Sequence, residues 1–478
     1  MEQYRLKAGL EGFLARRNSP KPVGRMFIGG VKRAPNRAVD GRLWSLVCIH
    51  GGHCSRPGLP MRRSLEAKMR ILFVCHRLPF PPNRGGKIRP FQMIRHLAER
   101  HSVTVATLAH SQEEVEQGSK LREFCEQLLV EIVPNPIRWG RALLGLATAK
   151  PSSGQYFWSP ALQSRIAATA QAEAFDRVWV HCAFMARYAI DVPCDFKVLD
   201  YGDIDSSKWA DYSQHRSFPL SAGYGLEAKK LRRWEKQMGR RFTRCTVTTS
   251  NELVEFESLG VPKPCTVIPN GVDIEYFNPR HRTAASKPVM VFVGRMDYFP
   301  NIDGMLQFVS HSWPRIREAV PNAELRIVGS NPAASILGLR ELPGVQVTGH
   351  VPDVRPYVGD AAVGIAPLRI ARGTQNKVLE MMAMGVPVVA SAEASRGIRA
   401  RAGEHLMVAE NSDMFITQVI ELLRDRERGE RLGAAGRAQA VNGHSWPASM
   451  AIVDEVLELE GSAAVAGGEL ASQLTVTT

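Results

Sequence analysis

From Met69 onward the chain alternates short apolar runs with longer amphipathic segments. Arg70–Cys75 reads RILFVC, and comparable runs lie at 103–108, 128–133, 176–181, 196–201, 245–249 and 265–268. Apolar runs of this length predict strands covered on both faces, as in parallel sheets. The segments 88–100, 112–126, 159–174, 225–241 and 251–259 predict helices between them. VIPNGVD (267–273) is a short strand ending in a turn, and the polar run from Asn278 and Pro279 to Pro288 predicts a linker. The pattern then restarts. VFVGRMDYFPNIDGM (291–305), ELRIVGS (324–330), VTGHVPDV (347–354) and AAVGIAPL (361–368) each give a strand followed by a loop. In GTQNKVLEMMAMGVPVVAS (373–391) a glycine-led turn opens a helix, Gly385 and Pro387 stop it, and Val386–Ala390 continues as a buried strand.

Alternation of this kind predicts the α/β class, with doubly wound sheets in two domains. The linker separates 69–280 from 288–442, and a last helix follows at 446–460. Residues 1–68 are rich in Arg, Gly and Pro without a period of 2 or 3.6, and are expected to be a disordered arm or the product of an upstream start codon. The Gly-, Ala-, Ser- and Thr-rich tail 461–478 is expected to be disordered. There is no internal repeat.

Doubly wound sheets bind ligands beyond the carboxyl ends of their strands. Gly294, Arg295 and Gly329 fall in such places, as do Gly85 and Gly86 in PPNRGGKIRPF (81–91), where Lys87 and Arg89 add charge. The helix opening near Thr374 carries Lys377 and, three residues on, Glu380. A helix N-terminus suits phosphate, a lysine one turn in adds positive charge, and a carboxylate on the same face accepts from a ribose diol. The set predicts a nucleotide-diphosphate site; the alternative is a solvated ion pair on a surface helix. His181 closes the strand VWVH and is placed to face the same cleft. Asp203 and Asp205 in GDIDSS could cap the loop, contact an acceptor or hold a metal.

Net charge changes the picture only at one end. The formal charge is +14, but residues 1–68 hold fourteen Lys and Arg against four Asp and Glu, which leaves +4 for the remainder. That removes most of the case for nucleic acid as a partner. Eight scattered cysteines without a CxxC pair are expected to be reduced, consistent with the cytoplasm. No apolar run reaches the roughly 18 residues of a membrane span. No signal-peptide core follows the basic N-terminus. NPIRWGRALLGLATAKP (135–151) mixes Arg138, Trp139, Arg141 and Lys150 with Leu143, Leu144 and Leu146, either as an interfacial helix for acidic lipid or as a helix packed on its own domain.

These segments in this order resemble GT-B glycosyltransferases of the family-four-like group (group 1) over residues 69–460. LDYGDIDSSKW (199–209) and RGTQNKVLEMMAMGVPVVAS (372–391) look like a subgroup of sugar transferases associated with exosortase-linked exopolysaccharide systems. The resemblance implies two Rossmann-like domains facing a central cleft, with the last helix packing back on the first. It implies a nucleotide-diphosphate sugar donor on the C-terminal domain and a saccharide or lipid-linked acceptor on the N-terminal one. No metal cofactor is expected, and the cytoplasmic face of the inner membrane is the implied location. Arg295, Lys377 and His181 would then be catalytic, with Gly85, Gly86, Gly294, Gly329, His350, Val351, Thr374 and Glu380 around the donor. There are two departures. Relatives carry two glutamates separated by seven residues; Glu380 matches the second, but Arg372 stands in place of the first, which touches the donor sugar. Many relatives also place a phosphate-binding lysine after Arg295, where Asn301 stands here, so Lys377 is left to supply that charge. A nucleotide-sugar epimerase of the same fold and a non-catalytic partner subunit are the alternatives. A Rossmann dehydrogenase is disfavoured, because no GxGxxG follows the first strand.

Overall fold

The computed structural model describes residues 68–83, 85–282 and 287–458. The expectations for the N-terminal extension, Lys68 apart, and for the tail lie outside the described residues. Seven strands form the first sheet: β1 (Arg70–Cys75), β2 (Ser102–Ala109), β3 (Gln127–Ile132), β4 (Arg177–His181), β5 (Lys197–Gly202), β6 (Arg244–Val247) and β7 (Cys265–Val267). Their order is β3-β2-β1-β4-β5-β6-β7, and every pairing is parallel. Six strands form the second: β8 (Val289–Val293), β9 (Glu324–Val328), β10 (Val345–Gly349), β11 (Val363–Ala366), β12 (Val388–Ser391) and β13 (Met407–Ala409). Their order is β10-β9-β8-β11-β12-β13, again parallel throughout. Ile71–Cys75 and Met290–Phe292 are fully buried, as strands covered by helices on both faces require.

The helices that matter here are α1 (Gly85–Arg100), α2 (Asn135–Leu146), α3 (Asp205–Gln214), α4 (Leu220–Gly239), α5 (Ser250–Leu259), α6 (Phe299–Gln307), α7 (Asn376–Ala383), α8 (Ser412–Arg424), α9 (Arg426–Gly443) and α10 (Trp446–Glu458). The predicted helix 112–126 is shorter than expected: it closes at Gln117, and a 3-10 turn follows over Ser119–Phe124. Asp205 does not cap a loop but lies in the first turn of α3, buried.

α10 returns to the first sheet. Trp446, Met450, Val453, Val456 and Leu457 share one core with Ile71, Phe73 and Trp179. Each such side chain taken out of water contributes about 1.5–3 kcal/mol. His96 on α1 holds Asp454 on α10 at 2.9 Å. The topology reverses between β1 and β4 in one sheet and between β8 and β11 in the other. Ligands of doubly wound domains bind at these two places.

Candidate active site

The second sheet's reversal point builds a cradle of limited positive charge. β8 ends at Val293, and Gly294 follows. A Cβ on Gly294 would sit 2.7 Å from Asn301 Nδ2 and 3.4 Å from Lys377 Nζ, so only glycine leaves both side chains their place. Lys377 Nζ donates to Asn301 Oδ1 at 2.6 Å and lies 4.7 Å from the centre of the Phe292 ring. Lys377, on α7, thus comes beside Asn301 in space. Its hydrogen bond is to a neutral amide, so its charge is not cancelled there. Desolvation pushes Lys377 down to about 7, with Glu380 opposing the shift. Desolvation likewise pushes Glu380 up to about 7, with Lys377 opposing.

α7 begins without a side-chain cap at Gln375. Its first N–H groups therefore stay available to an anion. Just before and within the first turn, Thr374 Oγ1 and Asn376 Oδ1 are buried without a hydrogen-bond partner among the described residues. Buried polar atoms are rarely left so unless a ligand or water completes them. Arg295 is differently placed: Nε and Nη2 bind Asp297 at 3.1 and 2.7 Å, while its carbonyl accepts from Asn301. Gly329 donates to Gly349 O at 3.2 Å, which ties the ends of β9 and β10 together. His350 is exposed and Val351 half-buried just past β10, two strands away from β8.

Opposite this cradle stands the reversal point of the first sheet. The start of α1 comes close to α7: a Cβ on Gly85 would lie 3.9 Å from Asn376 Nδ2, and one on Gly86 3.8 Å from His76 Nε2. Lys87 and Arg89 do not serve this glycine turn as free charges. Lys87 binds Glu114 at 3.2 Å, and Arg89 holds both oxygens of the fully buried Asp200 at 3.0 and 2.9 Å. Asp200 also accepts from the Thr246 hydroxyl at 2.9 Å and meets His181 Nδ1 at 2.8 Å. The arrangement Arg89–Asp200–His181 fixes the imidazole ring at the mouth of β4. Burial would raise the Asp200 carboxyl, but Arg89 and His181 together hold it far below the usual carboxylate range. Sequence reasoning read Arg89 as a ligand charge and passed over Asp200, whose buried acid inside the strand run VLDY was the available signal.

Asp203, just beyond β5, accepts from the Thr248 hydroxyl at 2.9 Å. Among the described residues, one trio offers close-set metal-ligand atoms, His76, His181 and Cys182, and neither Asp203 nor Asp205 belongs to it.

Contacts from α3 and α5 to the second domain close the site laterally. Gly373 has φ +61° and its backbone lies against the Asp203 carboxylate, where any Cβ would collide. Arg372 beside it binds Asp211 and Glu255. A cavity of about 650 Å³ surrounds Arg372 and Gly373 between the domains; Lys377 and Glu380 do not line it. On the outer surface, one face of α2 packs on its own domain through Arg138, Trp139 and Ala142, and the other is exposed. Arg138 is fully buried and donates to Val133 O and Ala109 O, whereas Ile137, Leu143 and Leu144 are exposed.

Two parallel, doubly wound sheets with opposed reversal points form the GT-B fold. Residues 83–276 match the model "Glycosyltransferase Family 4", and residues 287–425 match "Glycosyl transferases group 1". Among individual proteins, the chain is 27% identical over 215 residues to GDP-mannose-dependent alpha-(1-6)-phosphatidylinositol monomannoside mannosyltransferase of Mycolicibacterium smegmatis. That match covers 40% of this chain and spans 55% of the relative's length. Sucrose-phosphate synthase from Thermosynechococcus elongatus superposes with a TM-score of 0.60 at 16% identity, over 81% of this chain and 98% of that one. Anabaena Alr3699/HepE in complex with UDP-glucose gives 0.58 at 15% identity, over 81% and 99%. No helix among the described residues is long and apolar enough to cross a membrane.

Proposed function

We propose that the protein transfers a sugar from a nucleotide-diphosphate donor to a saccharide or lipid-linked acceptor, in exopolysaccharide or other cell-surface glycan synthesis of the exosortase-associated kind. The observation that carries this reading is the uncapped start of α7, with Lys377 and two unpartnered buried oxygens, facing the glycine turn of α1. The diphosphate sits on the α7 N-terminus, and Lys377 stabilises the charge that builds on it as the glycosidic bond breaks. Glu380 accepts from the ribose. His181, held by Asp200, faces the acceptor side. In an inverting route His181 or Asp203 takes the acceptor proton; in a retaining route the leaving phosphate takes it. Structural relatives hold UDP and UDP-glucose, and the relative named above is a GDP-mannose-dependent phosphatidylinositol monomannoside mannosyltransferase, which supports a nucleotide sugar and a lipid-linked acceptor here. The exposed Ile137, Leu143 and Leu144, with Arg141 and Lys150 nearby in sequence, support peripheral contact with an acidic membrane face.

The test is a thermal-shift screen of UDP-, GDP- and ADP-sugars, followed by product analysis with and without acceptor. A ligand at 100 times its Kd adds about 2.7 kcal/mol to stability. Transfer is expected to survive EDTA, because Lys377 and helix N-termini supply the positive charge. Loss with chelator and recovery with Mg²⁺ or Mn²⁺ would refute metal independence, and a donor changed without acceptor would indicate an epimerase.

A further inference from the structure

Arg372 opens the loop that leads into α7, yet its guanidinium engages the other domain. Nε and Nη2 donate to the two oxygens of Asp211 on α3 at 2.5 and 3.1 Å. Nη1 donates to Glu255 on α5 at 3.1 Å, and Glu252 lies 3.8 Å away. One side chain of the C-terminal domain therefore ties down two helices of the N-terminal domain. Its surroundings repeat the connection. Tyr212 and Tyr298 hydroxyls meet at 3.2 Å, Arg216 lies 4.1 Å over the Phe299 ring, and Asn251 Nδ2 donates to Arg396 O at 3.3 Å. Directly after Arg372, the backbone of Gly373 abuts Asp203. Asp203 and the loop 372–375 therefore meet at the same interdomain contact that Arg372 makes.

The energetics suit a clamp that opens and recloses. A planar guanidinium binding one carboxylate through two bonds has the geometry of the stronger ion pairs. Arg372 and Asp211 are nevertheless 22% and 29% exposed, so salt weakens the pair. Burial is the largest single influence on Arg372 and lowers it, but Asp211, Glu255 and Glu252 together outweigh it and hold the guanidinium above its ordinary value. The charge is already matched by carboxylates.

We propose that Arg372 is a positioning residue for glycosyl transfer: an interdomain clamp that holds α3 and α5 on the loop 372–375 and so keeps Asp203 beside the donor cradle. This rests on the proposed transfer reaction. It differs from a sugar-touching role for the same position, because the guanidinium acts through the domain arrangement and not through the donor.

The experiment uses the full chain with Arg372→Gln, Arg372→Lys, Arg372→Glu and, as an independent cut of the same pair, Asp211→Asn. Nucleotide affinity is read by calorimetry with UDP, GDP and ADP; kcat and KM are read with the donor found in the screen; domain separation is read by small-angle X-ray scattering. Arg372→Gln should lower kcat on the order of 10- to 100-fold, as a displaced reactive geometry does, with nucleotide Kd changed less than about threefold. Asp211→Asn should act in the same direction, and Arg372→Lys, which keeps the charge but not the planar fork, should recover only part of kcat. Arg372→Glu should enlarge the radius of gyration at low salt. A nucleotide Kd that weakens in step with kcat would overturn the proposal in favour of direct donor contact. Unchanged kcat in Arg372→Gln, or unchanged scattering in Arg372→Glu, would also overturn it. If the wild-type chain binds no nucleotide and transfers nothing, the transfer reading fails by itself, and scattering still decides the clamp.

Discussion

Lys377 and Arg372 are near neighbours on the chain and opposites in their surroundings. Arg372 meets Asp211, Glu255 and Glu252, while Lys377 meets an amide oxygen and the face of an aromatic ring. The same sign of charge is met by bonded carboxylates in one place and, five residues on, offset only by Glu380 across the helix face. A guanidinium surrounded by carboxylates is a fastener. An ammonium held by a neutral partner in a desolvated groove still attracts an anion, and its lowered pKa records the cost of holding it there. The difference teaches that the number of positive residues in a cleft says little about what the cleft binds; the compensation of each one says more.

The comparison breaks most sharply at Lys377. Lys377→Ala should reduce transfer on the order of 10²-fold or more, as removal of one transition-state charge partner does. Glu380→Ala should chiefly raise the nucleotide Kd. Arg295→Ala should cost less than Lys377→Ala, because Asp297 already neutralises part of Arg295. Steady-state kinetics on purified variants rank the three, and equal losses for Arg295 and Lys377 would erase the distinction drawn here.

A satisfied charge should show up in stability instead. Asp200→Ala strands Arg89 in the core and should cost about 3–5 kcal/mol, read from urea unfolding. The sign with pH follows from the depressed folded-state value. The Asp200 contribution is fully present above the unfolded carboxyl range near pH 4 and is lost progressively as pH falls below it. Wild type should therefore lose more stability than the variant between about pH 4 and pH 2.

The dependence on pH is the most specific prediction. With Lys377 at about 7 in the free protein, an anion that favours its charged form should take up protons on binding. Nucleotide-diphosphate affinity should then fall as pH rises from 7 to 9, by up to about tenfold per unit. Calorimetry in two buffers of different ionisation enthalpy gives the proton count. Release of protons, or none moved, would mean that Lys377 does not face the phosphates.

Both sheets were legible in the sequence because strands buried on two faces carry uninterrupted apolar runs. The short strand β13 (Met407–Ala409) was missed because three residues are too few to show a pattern. α8 and α9 lie beyond the last motif, and the turn-forming residues of GDIDSS outweigh the Lys208 and Trp209 that follow, which hides α3. Within the site, the chemistry of α7 could be read because it is local. The Lys377–Asn301 bond was reachable only by noting a lysine absent near Asn301. Arg89–Asp200–His181 and Arg372–Asp211 were not legible, since each joins residues far apart on the chain through packing alone.

The return of α10 gives the nascent chain an order of events. The core face around Ile71, Phe73 and Trp179 is covered by a helix that is synthesised after the whole second sheet. The C-terminal domain has all its strands before the N-terminal domain has its last apolar partner. During translation that face is covered only in part, by α1 residues such as Phe91 and Leu97, until α10 emerges.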